Sequence, residues 1–491
     1  MAGEAQATTF RVVVVPEYEL GGIVGAVGLL VPGAGPETSE AMARAALIRG
    51  EVRNSLRGGL PDGPPLIGLA TRSMRVPTIF VALPRGGPQP NDRRYPITVV
   101  GHGFRGILTS DSTRIPGLVS IVDIAPTALG RDDGLSWERR EDPAGYLKAL
   151  DRRIDEHNNA RIPATLLLVA VVVALAFFLP RAALTALVLG LSANLALGLA
   201  GETRTWAVLL VIGLATMAGT LVRSPAALGA LCAGVLGAYL VGFTVDGPGV
   251  ALSPFGPSQN ARFYGLSNLL ETMLLAPALA GAAAAGLRLG PLGFAAVALL
   301  ALVTVAGNRF GADGGGAIVF VAGFVVLAAF TSRRAVLPVL VGGAAATGLL
   351  LAFDFATGSE SHVTRAVEDG PGGLADDLAD RVTLSFERAT DRWYVGVLIA
   401  LGILLLAALA VRAAHGDNRA VPLALAGAVG ISLVVNDSPS DVVLLGLTGF
   451  LAVERGMLPG RCAGGFSSPS RLPWSWPAAA ARRPSSPSPR R

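Results

Sequence analysis

The sequence predicts an α-helical polytopic membrane protein, with about eleven transmembrane helices, that carries a partial N-terminal α/β domain. Three observations predict it. Hydrophobic residues make up 52% of the 491 positions and charged residues only 15%, with a mean hydropathy of +0.55, whereas soluble domains carry about 25% charge. Composition changes abruptly near residue 162, upstream of which 19 basic and 18 acidic groups lie among short β-branched runs. From residue 163 onward, apolar runs near the ~20 residues that cross a bilayer recur with short polar gaps.

Residues 1–150 read as the α/β unit. Val12–Val15, Thr78–Val81, Ile97–Val100 and Leu118–Ile121 are strand-like, and Ser39–Leu56 is helical. Gly21–Val31 is too short to span and suits a strand and loop. Tyr146–Asn158 is polar and helical, leading through a linker at 151–162 into the bundle at 163–453. The expected spans are 163–180, 182–200, 206–222, 225–244, 264–286, 291–307, 316–332, 335–353, 393–412, 420–435 and 438–453. Many are rich in Ala, Gly and Leu, as suits close helix approach.

Charge is informative about topology rather than about partners. The formal charge of +5 arises from residues 454–491, which hold seven Arg against Glu454, while residues 1–453 are near neutral. A nucleic-acid surface is therefore not expected. Residues 454–491 read as a disordered basic tail. Arg181, Arg223, Arg288, Arg333, Arg334, Arg412 and Arg419 fall in alternate gaps on the tail's side. The opposite gaps are acidic, including the long loop 354–392. The positive-inside rule then places the tail in the cytoplasm and the N-terminal domain outside, in a bacterial cytoplasmic membrane. Trp206 and Trp393 sit at span starts on the outer side, as an aromatic belt would. An outer domain needs a leader or anchor, and the first residues lack the pattern of one. A start lying upstream of this sequence is the favoured explanation over inverted topology.

Within residues 101–130, the Arg114–Val119 strand (RIPGLV) is followed by Asp123–Thr127 (DIAPT). This pairing resembles the C-terminal part of the alkaline phosphatase/sulfatase superfamily domain. The wider chain resembles uncharacterised bacterial multi-pass membrane proteins that join such a domain to a helical bundle, through VGLLVPGAGPETS (27–39), RFYGLSNLLE (262–271), NRFGADGGGA (308–317), SHVTRA (361–366) and NDS (436–438). The resemblance implies a cell-envelope location and a fold. It also implies a Ser, Thr or Cys nucleophile beside two metal ions, which would stabilise both oxygens of a phosphoryl transfer. The weak catalytic candidates are His102, Asp111, Ser112 and Thr113, with Ser110 beside them. One His and one Asp would hold a divalent metal only feebly. No cofactor is expected, and the domain reads as a catalytically degenerate remnant rather than an active phosphatase.

Polar residues at membrane depth are costly and tend to be functional. Tyr264, Asn268 and Glu271 are spaced to share one helical face. Asn308, Arg309 and Asp313 precede three glycines, a sequence suited to a tight or unwound element. His362 and Arg365 lie in the long loop, and Asn436 and Asp437 between the last two spans. By the topology above, all lie on the outer side, where they would form one polar pocket with Glu271 paired to Arg262 or Arg309. The sequence thus predicts binding or modification of a phosphate- or glycan-bearing lipid or envelope precursor at the outer face. A proton- or cation-coupled transporter using Glu271 and Asp313 is the alternative, although no two-fold hydropathy repeat is evident. A non-catalytic membrane scaffold is the third reading. The expected partners are the lipid bilayer and that lipid ligand, and the oligomeric state is open.

Overall fold

The β-branched runs at the start of the chain form a mixed sheet. In the computed structural model, which describes residues 10–52, 60, 64–70, 76–222, 224–260, 262–356, 370–390, 392–416 and 418–457, the strands are β1 (Arg11–Val14), β2 (Ala26–Val31), β3 (Glu37–Thr38), β4 (Thr78–Val81), β5 (Gln89–Pro90), β6 (Tyr95–Val100), β7 (Gly106–Thr109), β8 (Leu118–Ser120) and β9 (Ser136–Glu138). The main sheet runs β1-β4-β6-β2-β7-β9, with β8 also on β2, and β3 pairs separately with β5. Strands β1/β4, β2/β7 and β2/β8 are parallel, and the other pairs of the main sheet are antiparallel. β4 reads Thr-Ile-Phe-Val without alternation because every one of its residues is buried. Helix α1 (Glu40–Arg49) starts at Ser39, whose hydroxyl accepts from the Met42 N–H at 3.2 Å. It is shorter than Ser39–Leu56, because Gly50 stops it in the left-handed region at φ 66°. Asp123 stands at the N-cap position of the helix Ile124–Ala128 without a side-chain bond to it. It closes a capping box with Ser120 across a 3-10 turn, and α2 (Ile124–Ala128) follows.

Helix α3 (Pro143–Phe178) begins at an Asp142 cap and runs 36 residues without interruption, about 54 Å at 1.5 Å per residue. The expected polar connector is thus the first part of a helix that continues into the bundle. The bundle comprises α4 (Ala183–Ala200), α5 (Thr205–Ala218), α6 (Pro225–Ala251), α7 (Asn268–Ala306), α8 (Gly314–Thr331), α9 (Val336–Ala356), α10 (Gly370–Thr390), α11 (Trp393–Ala414), α12 (Ala420–Val435) and α13 (Pro439–Gly456).

Among the described residues, seven helical stretches, not eleven, are long and apolar enough to cross a membrane: Pro143–Phe178, Pro180–Ala200, Pro225–Ala251, Asn268–Ala306, Gly314–Thr331, Arg333–Asp354 and Trp393–Ala414. The difference has identifiable causes. The runs 264–286 and 291–307 are joined in one stretch, α7, whose helical path is broken at Gly290 (φ 69°, ψ −157°) just before Pro291 and turns back there, so that Glu271 and Val305 both lie against Gly316. Thr205–Leu221 and Ala420–Val435 are apolar but short. α13 carries Asp441, Glu454 and Arg455. The chain is therefore a candidate multi-pass membrane protein with an N-terminal mixed α/β sheet.

One apolar core runs through the bundle and a second fills the sheet unit. A third, small cluster joins them: Val31, Ile115 and Leu118 from the sheet unit, Leu150 and Ile154 from α3, and Leu252 and Phe263 from the segment before α7. Asn91 adds a polar tie, its side-chain amide donating to the carbonyls of Gly33, Gly35 and Asn260. The sheet unit consequently sits on one end of the bundle. Arg412–Glu454 (2.7 Å) and the Asn418 amide on the Met457 carbonyl (2.8 Å) mark the opposite end. Ile154→Ala, at a fully buried position of the joining cluster, is expected to cost about 2–5 kcal/mol. Thermal unfolding with limited proteolysis of the sheet unit checks this, and wild-type behaviour in both would show that the cluster does not bind the units together.

Candidate functional site

The phosphatase-like candidates are not assembled into a catalytic group. His102 is exposed, at φ 47°, with its ring edge against Phe10 at 5.0 Å between centroids. Asp111 is exposed on the same segment. The acid that organises the loop is Asp123, which the candidate set omitted. Its Oδ2 accepts from the hydroxyls of Ser110 (2.7 Å) and Ser112 (2.8 Å) and from the Ser120 N–H (2.9 Å). The Thr113 hydroxyl is buried and donates to the Leu118 carbonyl at 2.5 Å. Both candidate hydroxyls thus hold the loop's shape. Among the described residues, no three His, Cys, Asp or Glu side chains gather so as to hold a metal ion.

At the junction of sheet and bundle, three of the sequence-predicted polar sets come together. Glu271 lies one turn into α7 and is fully buried (0% exposed). Its Oε2 accepts from the side-chain amide of Asn436 (1% exposed), just past the end of α12, at 2.6 Å. The same amide donates to the Ser432 hydroxyl at 2.8 Å. Glu271 Oε1 and Asn436 Oδ1 are both buried and have no hydrogen-bond partner among the described residues. Asp313 (4% exposed) caps α8, accepting from the Gly316 N–H at 3.0 Å, and its charge acts on Glu271. A side chain at Gly316 would meet Glu271 Cγ at 3.2 Å, so the glycine lets the two helices close over the carboxyl.

The expected Glu271–Arg pair is not the one formed. Arg262 lies on Asp313 at 3.5 Å and donates to the carbonyls of Gly311 and Ala312, while Arg309 is exposed with its guanidinium 5.7 Å from the Phe353 ring. Arg262 reaches the chain's turn because Gly311 and Ala312 expose carbonyls that no helix uses. Asn268, one turn before Glu271, donates to Asp437 and more weakly to Ser438, and Asp437 also binds Arg388 of α10. Asp437 is therefore a junction between three elements rather than a helix cap.

Arg114, from the loop between β7 and β8, was read only as part of the strand motif. The structure sends it out of the sheet unit into the bundle. Its guanidinium donates to the backbone carbonyl of Asn308 (2.5 Å) and to Asn308 Oδ1 (3.0 Å), and lies 3.9 Å from the centre of the Tyr264 ring. Its backbone is left-handed at φ 55°, an uncommon state for a side-chain-bearing residue. Asn308 starts the turn 307–313 that ends in Asp313. Arg114 from one side and Arg262 from the other thus fix the turn that faces Glu271. No sequence period announces such a contact, since its partners are 194 residues apart.

The other polar residues of this end are structural ties. Asn194 donates to Tyr239 and Ser253 and accepts from the Phe255 N–H, and His157 bonds the Pro257 carbonyl. These pin the segment that leads into α7. In the loop before α5, hydrogen bonds from Arg204 pull the Glu202 carboxyl down to about 2, so it stays ionised at ordinary pH. His362 and Arg365 lie outside the described residues. A groove of about 380 Å³ bounded by Ser192, Ala227, Ala230, Leu231, Gly234, Val235 and Ala238 is apolar and holds none of the polar sets.

Chemically, the junction offers two orphan acceptor oxygens beside a second carboxylate, in a place closed to water. That is an environment for a proton or a small cation. For an anion it offers less, because Arg114, Arg262 and Arg388 already bond protein oxygens. No family model, curated protein or solved structure matches this chain. The structure by itself shows the mixed α/β sheet and, among the described residues, seven candidate spans.

Proposed function

We propose that this chain is a membrane protein that binds a proton or a small monovalent cation at Glu271 inside its bundle and couples that ion to movement of a solute. The observation that carries the reading is the pair of buried, unpartnered oxygens, Glu271 Oε1 and Asn436 Oδ1. A buried carboxyl is stable only when a proton, a counter-ion or hydrogen bonds offset its lost hydration. The nearest guanidinium, Arg262, is engaged by Asp313 and two carbonyls instead. The break at Asp246 and the turn 307–313 interrupt the helical path near this end, as suits an ion path through a bundle.

Thermal unfolding of the full chain in detergent tests it, with pH stepped and with Na⁺, K⁺ or Li⁺ exchanged for choline. A bound ligand at about 100 times its dissociation constant stabilises by about 2.7 kcal/mol. Wild type should gain stability from one of these ions and Glu271→Ala should not. Identical responses of the two proteins would dismiss the reading.

A second reading is supported by Arg309, an exposed guanidinium at the same end. It would meet a phosphate- or glycan-bearing lipid or envelope precursor, with the sheet unit outside a bacterial cytoplasmic membrane as a catalytically degenerate phosphatase-like domain. Arg309→Glu should then weaken association with liposomes containing anionic lipid, and equal association would count against it.

A further inference from the structure

We infer that the occupant of this site is a proton, and that protonated Glu271 and Asn436 close a reciprocal carboxylic acid–amide ring that latches α7 to α12. The inference rests on the ion-binding reading above and names the ion. A carboxylic acid and a primary amide can form two hydrogen bonds at once: amide N–H to the acid's carbonyl oxygen, and acid O–H to the amide's oxygen. Half of that ring is present, from Asn436 Nδ2 to Glu271 Oε2 at 2.6 Å. The two atoms left without partners, Glu271 Oε1 and Asn436 Oδ1, are the two that the other half would join. One proton on Oε1 thus satisfies both, without any further ligand. A metal cation would ask for several more oxygens (about six for a hard cation), and the described residues gather no such acidic set.

The surroundings fit a group that alternates between two states. Asn436 is held by the Ser432 hydroxyl, so its amide stays oriented when Glu271 changes. Asp313 on the α8 terminus and Arg262 before α7 are the charged groups that act on Glu271. A turn away, Asp437 pairs directly with Arg388 and accepts from the Asn268 amide, and Asp441 on α13 interacts with Arg161 on α3. When Glu271 loses its proton, the Oε1–H bond breaks and the proton passes to water. The carboxylate then faces Asn436 Oδ1 and Asp313, two electron-rich groups, and the latch is under repulsion. Ion release and separation of α7 from α12 are therefore one event.

Infrared spectroscopy of the full chain in lipid nanodiscs, titrated upward from neutral pH with alkali, tests the latch. Wild type should show a hydrogen-bonded, protonated carboxyl C=O band at neutral pH that Glu271→Gln lacks. Glu271→Gln should nevertheless unfold at the wild-type temperature, because a primary amide re-forms both hydrogen bonds with Asn436. Asn436→Ala should keep the band but shift it toward the free-acid frequency, which preserves the test if the first variant fails to fold. A carboxylate band that responds to Na⁺, K⁺ or Li⁺ at fixed pH, with no protonated band, would overturn the proton while leaving the ion-binding reading intact. A spectrum with no protonated band at neutral pH and no response to alkali or to salts would overturn the two together.

Discussion

Glu271→Ala is expected to destabilise the chain by about 2–4 kcal/mol. It strands the Asn436 amide, at about 1–3 kcal/mol for an unsatisfied buried donor, and leaves a small cavity between α7, α8 and the end of α12. Asn436→Ala should cost a similar amount, and the double variant should cost clearly less than the sum, because the second change removes the group the first leaves unpaired. Unfolding of the four proteins in detergent gives the coupling energy, expected between about 0.5 and 3 kcal/mol. Additive costs would mean that the two side chains are neighbours without being partners.

Arg114→Ala is expected to free the turn 307–313 from the sheet unit. Charge-assisted hydrogen bonds contribute about 1.5–3 kcal/mol and the contact with Tyr264 about 0.5–2 kcal/mol. The turn is otherwise closed by its own backbone bonds, among them Phe310 N–H to Gly307 and Asp313 N–H to Val305. Amide exchange there should accelerate by roughly ten- to a hundredfold, with the sheet itself unaffected. Arg114→Lys should recover only part of the protection, since an ammonium lacks the planar fork that reaches both Asn308 oxygens. Arg114→Gly relieves the φ 55° backbone while deleting the side chain, so it separates backbone strain from the lost contact. Unchanged exchange in all three would show that the sheet unit rests on the bundle without bracing the turn.

Much of this arrangement is legible in the sequence, for reasons of period and cost. β-branched runs mark β1, β4, β6 and β8 to within two residues at either end, and apolar length marks the seven candidate spans found among the described residues. Polar residues such as Glu271, Asp313 and Asn436 stand out because apolar surroundings make them expensive, and the topology reading sends them to one end of the bundle. The structure brings these three together at that end; which side of a membrane the end faces is a separate question of orientation. What sequence could not supply is pairing. Glu271 looks like the natural partner of a nearby arginine, yet Arg262 goes to Asp313 and the carbonyls of Gly311 and Ala312, and an amide takes the glutamate. Arg114 escapes notice because nothing local separates an arginine that leaves its domain from one that stays in solvent. The span count differs because Thr205–Leu221 and Ala420–Val435 are apolar but short, α13 carries charge, and 264–286 and 291–307 are joined across the break at Gly290.

The central claim is that Glu271 takes up an ion from one side of a membrane and releases it to the other. Proteoliposomes loaded with a pH-sensitive dye address it most directly, with an acid step imposed outside and valinomycin and K⁺ clamping the voltage. The account predicts solute-dependent proton entry through wild type and a loss of that entry in Glu271→Gln, whose side chain keeps the hydrogen bonds but has no exchangeable acid proton. Equal entry through both proteins would contradict it.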